Sequence, residues 1–168
     1  MTGVVFDLIG VLARPSWREL CARPAAHDWR SLRIGAIEEA AFWSAELGAA
    51  YRGTLGLRRD RIELLRRLRG AGVEITIASN FARAWLPTVQ ALMPDGLVAR
   101  WVISGEVGAA KPDLAFWTAL AAPAGTLMVD DKAGNVAAAR AAGLRGVLAA
   151  PGCDLAEQVT RALAGAPG

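Results

Sequence analysis

The sequence predicts an α/β fold: a Rossmann-like parallel sheet with helices on both faces, and a small helical insert after the first strand. Three observations carry that prediction. Short apolar runs rich in Val and Ile recur along the chain, as in "GVVFDLI", "VEITIAS", "TLMVD" and "GVLAA". They are too short for helices and lack polar alternation, which is the pattern of strands buried on both faces. Segments of helical spacing separate these runs, and a strand–helix–strand alternation makes a parallel sheet with crossover helices. Finally, residues 13–58 differ in texture, with Pro15, Pro24, several glycines and the tryptophans Trp17, Trp29 and Trp43.

In chain order, residues 3–9 read as the first strand, bounded by Gly10. Within the insert, "IEEAAFWSAEL" has helical spacing, with Ile37, Ala41 and Leu47 on related faces. The insert's tryptophans read as its core, because a small unit needs bulky side chains to bury enough area. Residues 59–69 form an amphipathic helix with Ile62, Leu65 and Leu68 facing inward, ended by Gly70 and Gly72. "VEITIAS" is the next strand. "RAWLPTVQALM" is helical, with Pro87 suited to a first turn. "LVARWVIS" holds a strand, and "PDLAFWTALA" is a helix opened by Pro112. "TLMVD" is a strand, "NVAAARAAG" a helix closed by Gly143, and "GVLAA" the last strand. One more short helix follows Gly152.

The 168 residues make one domain with an insert: residues 1–12 and 59–168 as the core, 13–58 as the small helical insert. The chain is 54% apolar, enough for a substantial core. Its net charge of +3 comes almost entirely from arginine, since Lys111 and Lys132 are the only lysines. In "RRDRIELLRRLR" the arginines alternate with leucines and acids, which reads as the wet face of a helix and not as a nucleic-acid surface. No apolar run reaches membrane-spanning length, and no signal-peptide pattern opens the chain, so a cytoplasmic location is expected. Cys21 and Cys153 have no partner motif, and His27 is the single histidine, which argues against a zinc site or a disulfide framework.

In a parallel sheet, ligands bind outside the carboxyl ends of the strands. Asp7 lies at the end of the first strand, Ser79 and Asn80 at the end of the second, and Asp130 and Asp131 at the end of "TLMV". Lys111 precedes a helix, and Asn135 opens the next one. Each has an ordinary reading alone: a strand-end carboxylate, a turn, a surface cation, a helix cap. Asn135 reads as a brace for its loop, and His27 as a surface residue of the insert. Arg18, Arg30 and Arg52 are equivalent candidates for reading a substrate's polar groups. Taken together, two or three carboxylates, one cation and a hydroxyl suit phosphoryl transfer through an aspartyl phosphate. A carboxylate attacks, Mg²⁺ offsets the crowding of negative charge, and lysine and hydroxyl hold the phosphoryl oxygens.

Four pieces, "FDLIGVL", "ITIASN", "ISGEVGAAKPDLAFW" and "LMVDDKAGNVAAARAAG", occur in the order and at the separations of the haloacid dehalogenase (HAD) superfamily, which the sequence resembles over roughly residues 3–12 and 59–150. "GAIEEAAFW" resembles the short helical cap of small phosphatases of that superfamily. The resemblance implies Asp7 as nucleophile and Mg²⁺ ligand, Asp131 as the second carboxylate ligand with Asp130 beside it, and the backbone carbonyl of Ile9 as a further metal contact. It implies Ser79 and the Asn80 N–H as phosphoryl-binding groups, and Lys111 as the cation that neutralises Asp7. The expected substrate is a small phosphorylated metabolite.

One position departs from the family. Where most of its phosphatases carry a second aspartate that protonates the leaving group and then activates water, this chain has Ile9. Loss of a general acid/base is worth about 10²–10⁴ in rate. Leaving groups of low pKa, such as anomeric or acyl phosphates, need that proton less. Two other readings follow from Ile9: a catalytically impaired protein that binds a phosphorylated ligand or a partner, and a hydrolytic 2-haloacid dehalogenase. Dehalogenases of the superfamily also lack the second aspartate, but they do not normally keep an acidic pair where Asp130 and Asp131 stand.

Overall fold

The computed structural model of the chain describes residues 3–14 and 29–165. Five parallel strands form one sheet in the order β3-β2-β1-β4-β5: β1 (Gly3–Phe6), β2 (Glu74–Ser79), β3 (Arg100–Ile103), β4 (Leu127–Asp130) and β5 (Arg145–Leu148). The register pairs Phe6 with Ile77 on one side and with Val129 on the other. The chain runs outward from β1 to β3, then returns to the far side of β1 for β4. The switch point therefore lies between β1 and β4, where this class of sheet opens its ligand crevice.

Alternating side chains supply two cores. Val4, Phe6, Ile75, Ile77, Leu127 and Val129 face one side. There they meet α4 (Arg59–Gly70), α5 (Leu86–Leu92) and α9 (Leu155–Leu163). Val5, Ala78, Val102 and Met128 face the other, against α7 (Leu114–Leu120) and α8 (Ala133–Ala141). Both faces are covered, which is why the strands read as continuous apolar runs.

Helix ends follow local chemistry. The α4 helix buries Ile62, Leu64, Leu65 and Leu68 and stops at Gly72, whose φ of +77° a side chain would strain. Pro87 sits in the first turn of α5, after a 3-10 turn at Arg83–Trp85. Asp154 caps α9 by accepting from the Glu157 N–H at 3.0 Å.

Several boundaries differ from the sequence expectation. The first strand ends at Phe6, so Asp7 lies just beyond it, still joined to β4 through its N–H to the Val129 carbonyl at 2.8 Å. The expected single helix over 37–47 is two, α2 (Glu39–Phe42) and α3 (Ala45–Thr54). Trp43 is extended between them, and Ser44 caps α3. The aromatic packing explains the break: Trp43 lies 5.1 Å from Phe42, 5.3 Å from Tyr51 and 5.7 Å from Trp85, ring centre to ring centre. The "PDLAFWTALA" helix starts at Leu114, two residues past Pro112, and α8 starts at Ala133, which places Asn135 in its first turn. A four-residue helix, α6 (Ser104–Val107), has no counterpart in the sequence reading.

With α1 (Trp29–Arg33), the helices α2 and α3 form the described part of the segment between β1 and α4. Glu39 fastens it to the rest of the chain. Its carboxylate accepts from Trp43 Nε1 at 3.1 Å, Trp85 Nε1 at 2.7 Å and Arg52 at 2.5 Å. The exposed pairs Arg83–Glu38 (2.6 Å) and Arg30–Asp113 (2.9 Å) add little each, because solvent screens them. The latter engages Arg30, one of the arginines considered for substrate contact. Pro15, Trp17, Arg18, Cys21, Pro24 and His27 lie outside the described residues. No helix among the described residues is long and apolar enough to cross a membrane.

Candidate active site

The carboxyl edge brings Asp7, Ser79, Lys111 and Asp130 into one buried group, each at most 6% exposed. The Lys111 ammonium is its centre. It donates to Asp7 Oδ1 at 2.7 Å, to Asp130 Oδ2 at 2.6 Å and to the Ala78 carbonyl at 2.8 Å, which uses all three of its protons. Burial alone would push the ammonium's pKa down; the Asp7 and Asp130 carboxylates outweigh it and hold that pKa above the ordinary lysine value. Lys111 is therefore a fixed positive charge.

One ammonium cannot neutralise two carboxylates. The Asp7 carboxyl is held above its ordinary range, first by burial, with Lys111 opposing and Asp130 adding to the rise. Asp131 is raised as well, by desolvation first and then by Asp130. This excess of negative charge in a buried place is the electrostatic signature of a site suited to a cation.

Asp130 has the fuller set of protein partners. Its Oδ1 accepts from the Lys132 N–H at 2.9 Å and from Asn135 Nδ2 at 3.0 Å; its Oδ2 accepts from Asn135 Nδ2 at 3.0 Å and from Lys111. Asp131 is exposed beside it. Asp7, Asp130 and Asp131 each offer an oxygen, and the three lie within 4.8 Å of one another. An all-oxygen set of this kind fits a hard divalent ion such as Mg²⁺.

The turn after Asp7 makes room for that set. Gly10 has φ +100°, and a Cβ there would stand 2.2 Å from Asp131 Oδ2. Only glycine allows the turn to approach the carboxylate so closely. Ile9 bridges to Ala13, but through flanking groups: Ala13 N–H donates to the Leu8 carbonyl and Gly10 N–H to the Ala13 carbonyl. The Ile9 carbonyl takes no part in that bridge. Its side chain packs against the larger core and lines a small pocket, about 50 Å³, together with Asp7, Ser79, Asn80, Lys111 and Asn135.

Two features of the site escape sequence reasoning. Asn80 is a clip: its Oδ1 accepts from the Lys111 N–H at 2.8 Å, and its Nδ2 donates to the Lys111 carbonyl at 2.7 Å. This fixes the lysine's backbone from a residue 31 positions away, and nothing in the local sequence signals it. Asn80→Ala removes both bonds and is expected to destabilise the protein by about 1–3 kcal/mol, read as a lowered thermal midpoint. The second is Arg33, at the end of α1, which lines the same pocket. The arginines considered from sequence were Arg18, Arg30 and Arg52.

The site thus joins a buried carboxylate, a locked ammonium, a hydroxyl and a cluster of acids at the switch point of a parallel sheet. The fold is that of HAD family enzymes. A HAD family enzyme from Bacteroides thetaiotaomicron, solved with magnesium and inorganic phosphate, superposes with a TM-score of 0.78 at 17% identity, over 94% of this chain and 98% of that one. A HAD phosphatase from Thermococcus onnurineus does so at 0.68 and 18% identity, over 99% of both chains. L-2-haloacid dehalogenase from Xanthobacter autotrophicus, with chloropropionic acid covalently bound, reaches 0.66 at 18% identity, over 98% of this chain and 83% of that one. Neither a protein-family model nor a curated protein sequence matches the chain.

Proposed function

We propose that the protein is a Mg²⁺-dependent phosphatase that acts on a small phosphorylated metabolite through an aspartyl phosphate on Asp7. The observation that carries this reading is the acidic cluster of Asp7, Asp130 and Asp131 around a buried Lys111. Three carboxylates around one buried ammonium suit a divalent cation, and a divalent cation suits a phosphoryl group. A carboxylate that displaces halide has no use for the acidic pair.

Each residue then has a task. Lys111 holds Asp7 Oδ1, which leaves Oδ2 as the attacking oxygen. Ser79, buried on the pocket wall, donates to a phosphoryl oxygen. Asp7, Asp131 and the Ile9 carbonyl would hold the Mg²⁺, with Asp130 braced beside them by Lys111 and Asn135. When bound, the ion neutralises the phosphoryl charge and orients it for in-line attack. Residues 13–58 act as the cap: Arg33 and Tyr51 from that segment line the pocket.

Phosphate release from a panel of phosphometabolites, with and without Mg²⁺, tests this directly. The expected result is Mg²⁺-dependent release that chelation abolishes. Halide release from 2-chloropropionate without metal would instead establish the dehalogenase reading. Ile9 favours one second reading, a member that binds a phosphorylated ligand and turns it over negligibly; Mg²⁺-dependent binding of phosphate with no hydrolysis across the panel would support it.

The metal's pH dependence follows from the carboxyl groups. With the native pKa values of Asp7 and Asp131 raised, the metal-free native state binds more protons than the unfolded chain between the ordinary carboxylate range and those raised values. Through that window these groups lower stability as the pH rises. Mg²⁺ binds the deprotonated forms and so competes with the protons. The Mg²⁺-induced rise in thermal midpoint is expected to be larger at pH 8 than at pH 5; an equal rise at both would contradict the assignment.

A further inference from the structure

The pocket pairs an unused cation with a missing acid. Arg33 lines it beside Asp7, Ile9, Ser79 and Lys111. Its carbonyl accepts from the buried Ser104 Oγ at 2.5 Å, which ties the end of α1 to the residue after β3. Its guanidinium carbon lies 5.4 Å from the centre of the Trp29 ring. Its Nε is buried without a hydrogen-bond partner. Arg33 is in none of the ion pairs among the described residues. A buried guanidinium N–H without an acceptor is costly, and the cost is relieved when an acceptor arrives.

The wall around a bound phosphoryl group therefore has two properties. It has no proton donor at Ile9, and Arg33 cannot replace one, because a guanidinium does not deprotonate in a protein. It does offer a permanent positive charge in a fork that matches a carboxylate. Arg33 lines the same small pocket as Asp7, the residue that takes the phosphoryl group.

We propose that Arg33 receives the leaving group as an anion, and that the preferred substrates are acyl phosphates, whose leaving group is a carboxylate. This rests on the phosphatase reading above. In the first step Asp7 Oδ2 bonds to phosphorus as the bond between phosphorus and the acyl oxygen breaks. The electron pair leaves on that oxygen, and the carboxylate needs no proton. In the second step water attacks phosphorus, the bond to Asp7 breaks and the aspartate is regenerated. Both protons of the water leave on the inorganic phosphate as dihydrogen phosphate, so no net proton is required from the protein. An alkyl phosphate, by contrast, must expel an alkoxide, and Ile9 leaves the position beside Asp7 without an acid to protonate it.

The test compares acetyl phosphate with glycerol 3-phosphate on the full chain with Mg²⁺. Wild type is expected to favour acetyl phosphate, and acetate is expected to inhibit. Arg33→Met keeps the packing on Trp29 and removes the charge. It is expected to lower the preference for acetyl phosphate by about 10²-fold, the scale of removing one donor to a developing oxyanion, and to weaken acetate inhibition. Arg33→Lys should recover part of both, and matched thermal midpoints would show that the variants are folded. Ile9→Asp is expected to raise glycerol 3-phosphate turnover by about 10²–10⁴, which also narrows the preference. If Arg33→Met lowers both substrates in proportion with acetate inhibition unchanged, or if wild type prefers glycerol 3-phosphate, the proposal falls and the phosphatase reading stands. If neither compound nor any other in the phosphometabolite panel releases phosphate with Mg²⁺, the phosphatase reading falls too.

Discussion

Asp7→Asn is expected to reduce Mg²⁺-dependent phosphate release by at least about 10⁴-fold, the order seen when a covalent nucleophile is removed. The substitution keeps the shape of the side chain, and an amide oxygen at Oδ1 can still accept from Lys111, 2.7 Å away. An amide does not attack phosphorus, and it is a poor ligand for a hard cation. The same change should leave the metal-free protein at least as stable as wild type. Asp7 is the second carboxylate on one ammonium, and burial and Asp130 both raise its pKa. A neutral Asn relieves that strain, while Lys111 keeps Asp130 at 2.6 Å. Activity lost with stability kept is the pattern of a residue retained for chemistry. A variant that loses its fold and its activity together would point to a structural role instead.

Lys111→Met is expected to do the opposite to stability. Lys111 and Asp130 are almost wholly enclosed, and Asp7 nearly so. Without the ammonium two carboxylates stay buried with no cation between them, and the Ala78 carbonyl loses its donor. Removing one partner of a buried ionic group costs about 3–5 kcal/mol, because the remaining charge is uncompensated. For a domain of this size the thermal midpoint would fall on the order of 10 °C. The loss should be smaller at low pH, where Asp7, whose pKa burial already raises, takes up a proton. A midpoint that does not move, or one that falls more at low pH, would contradict the account of this cluster.

The parallel sheet was legible because its three central strands, β2, β1 and β4, are covered on both faces. "VVF", "ITIA" and "LMV" lack the polar alternation of a strand with one wet face. The carboxyl-edge placement of Asp7, Ser79 and Asp130 follows from that same parallel order, since each closely follows or ends its strand. Other features depend on contacts between distant residues. The helix break at Trp43 arises from ring packing with Tyr51 and Trp85, which overrides the helical spacing of "IEEAAFWSAEL". The Asn80 clip needs the loop before α7 to come beside β2. Arg33 is one of two arginines in "DWRSLRIG" with no spacing to single it out, and the pocket distinguishes it from Arg30, which is spent on Asp113.

The most direct measurement is the covalent state of Asp7 during turnover. Protein mixed with Mg²⁺ and acetyl phosphate, quenched in acid within a turnover and digested, should yield the peptide containing Asp7 with the mass of one added phosphoryl group. The modification should map to Asp7 and be absent from the Asp7→Asn variant. Mg²⁺-dependent phosphate release with Asp7 unmodified in every quenched sample, or with the phosphoryl group on another residue, would contradict the assignment of Asp7 as the nucleophile.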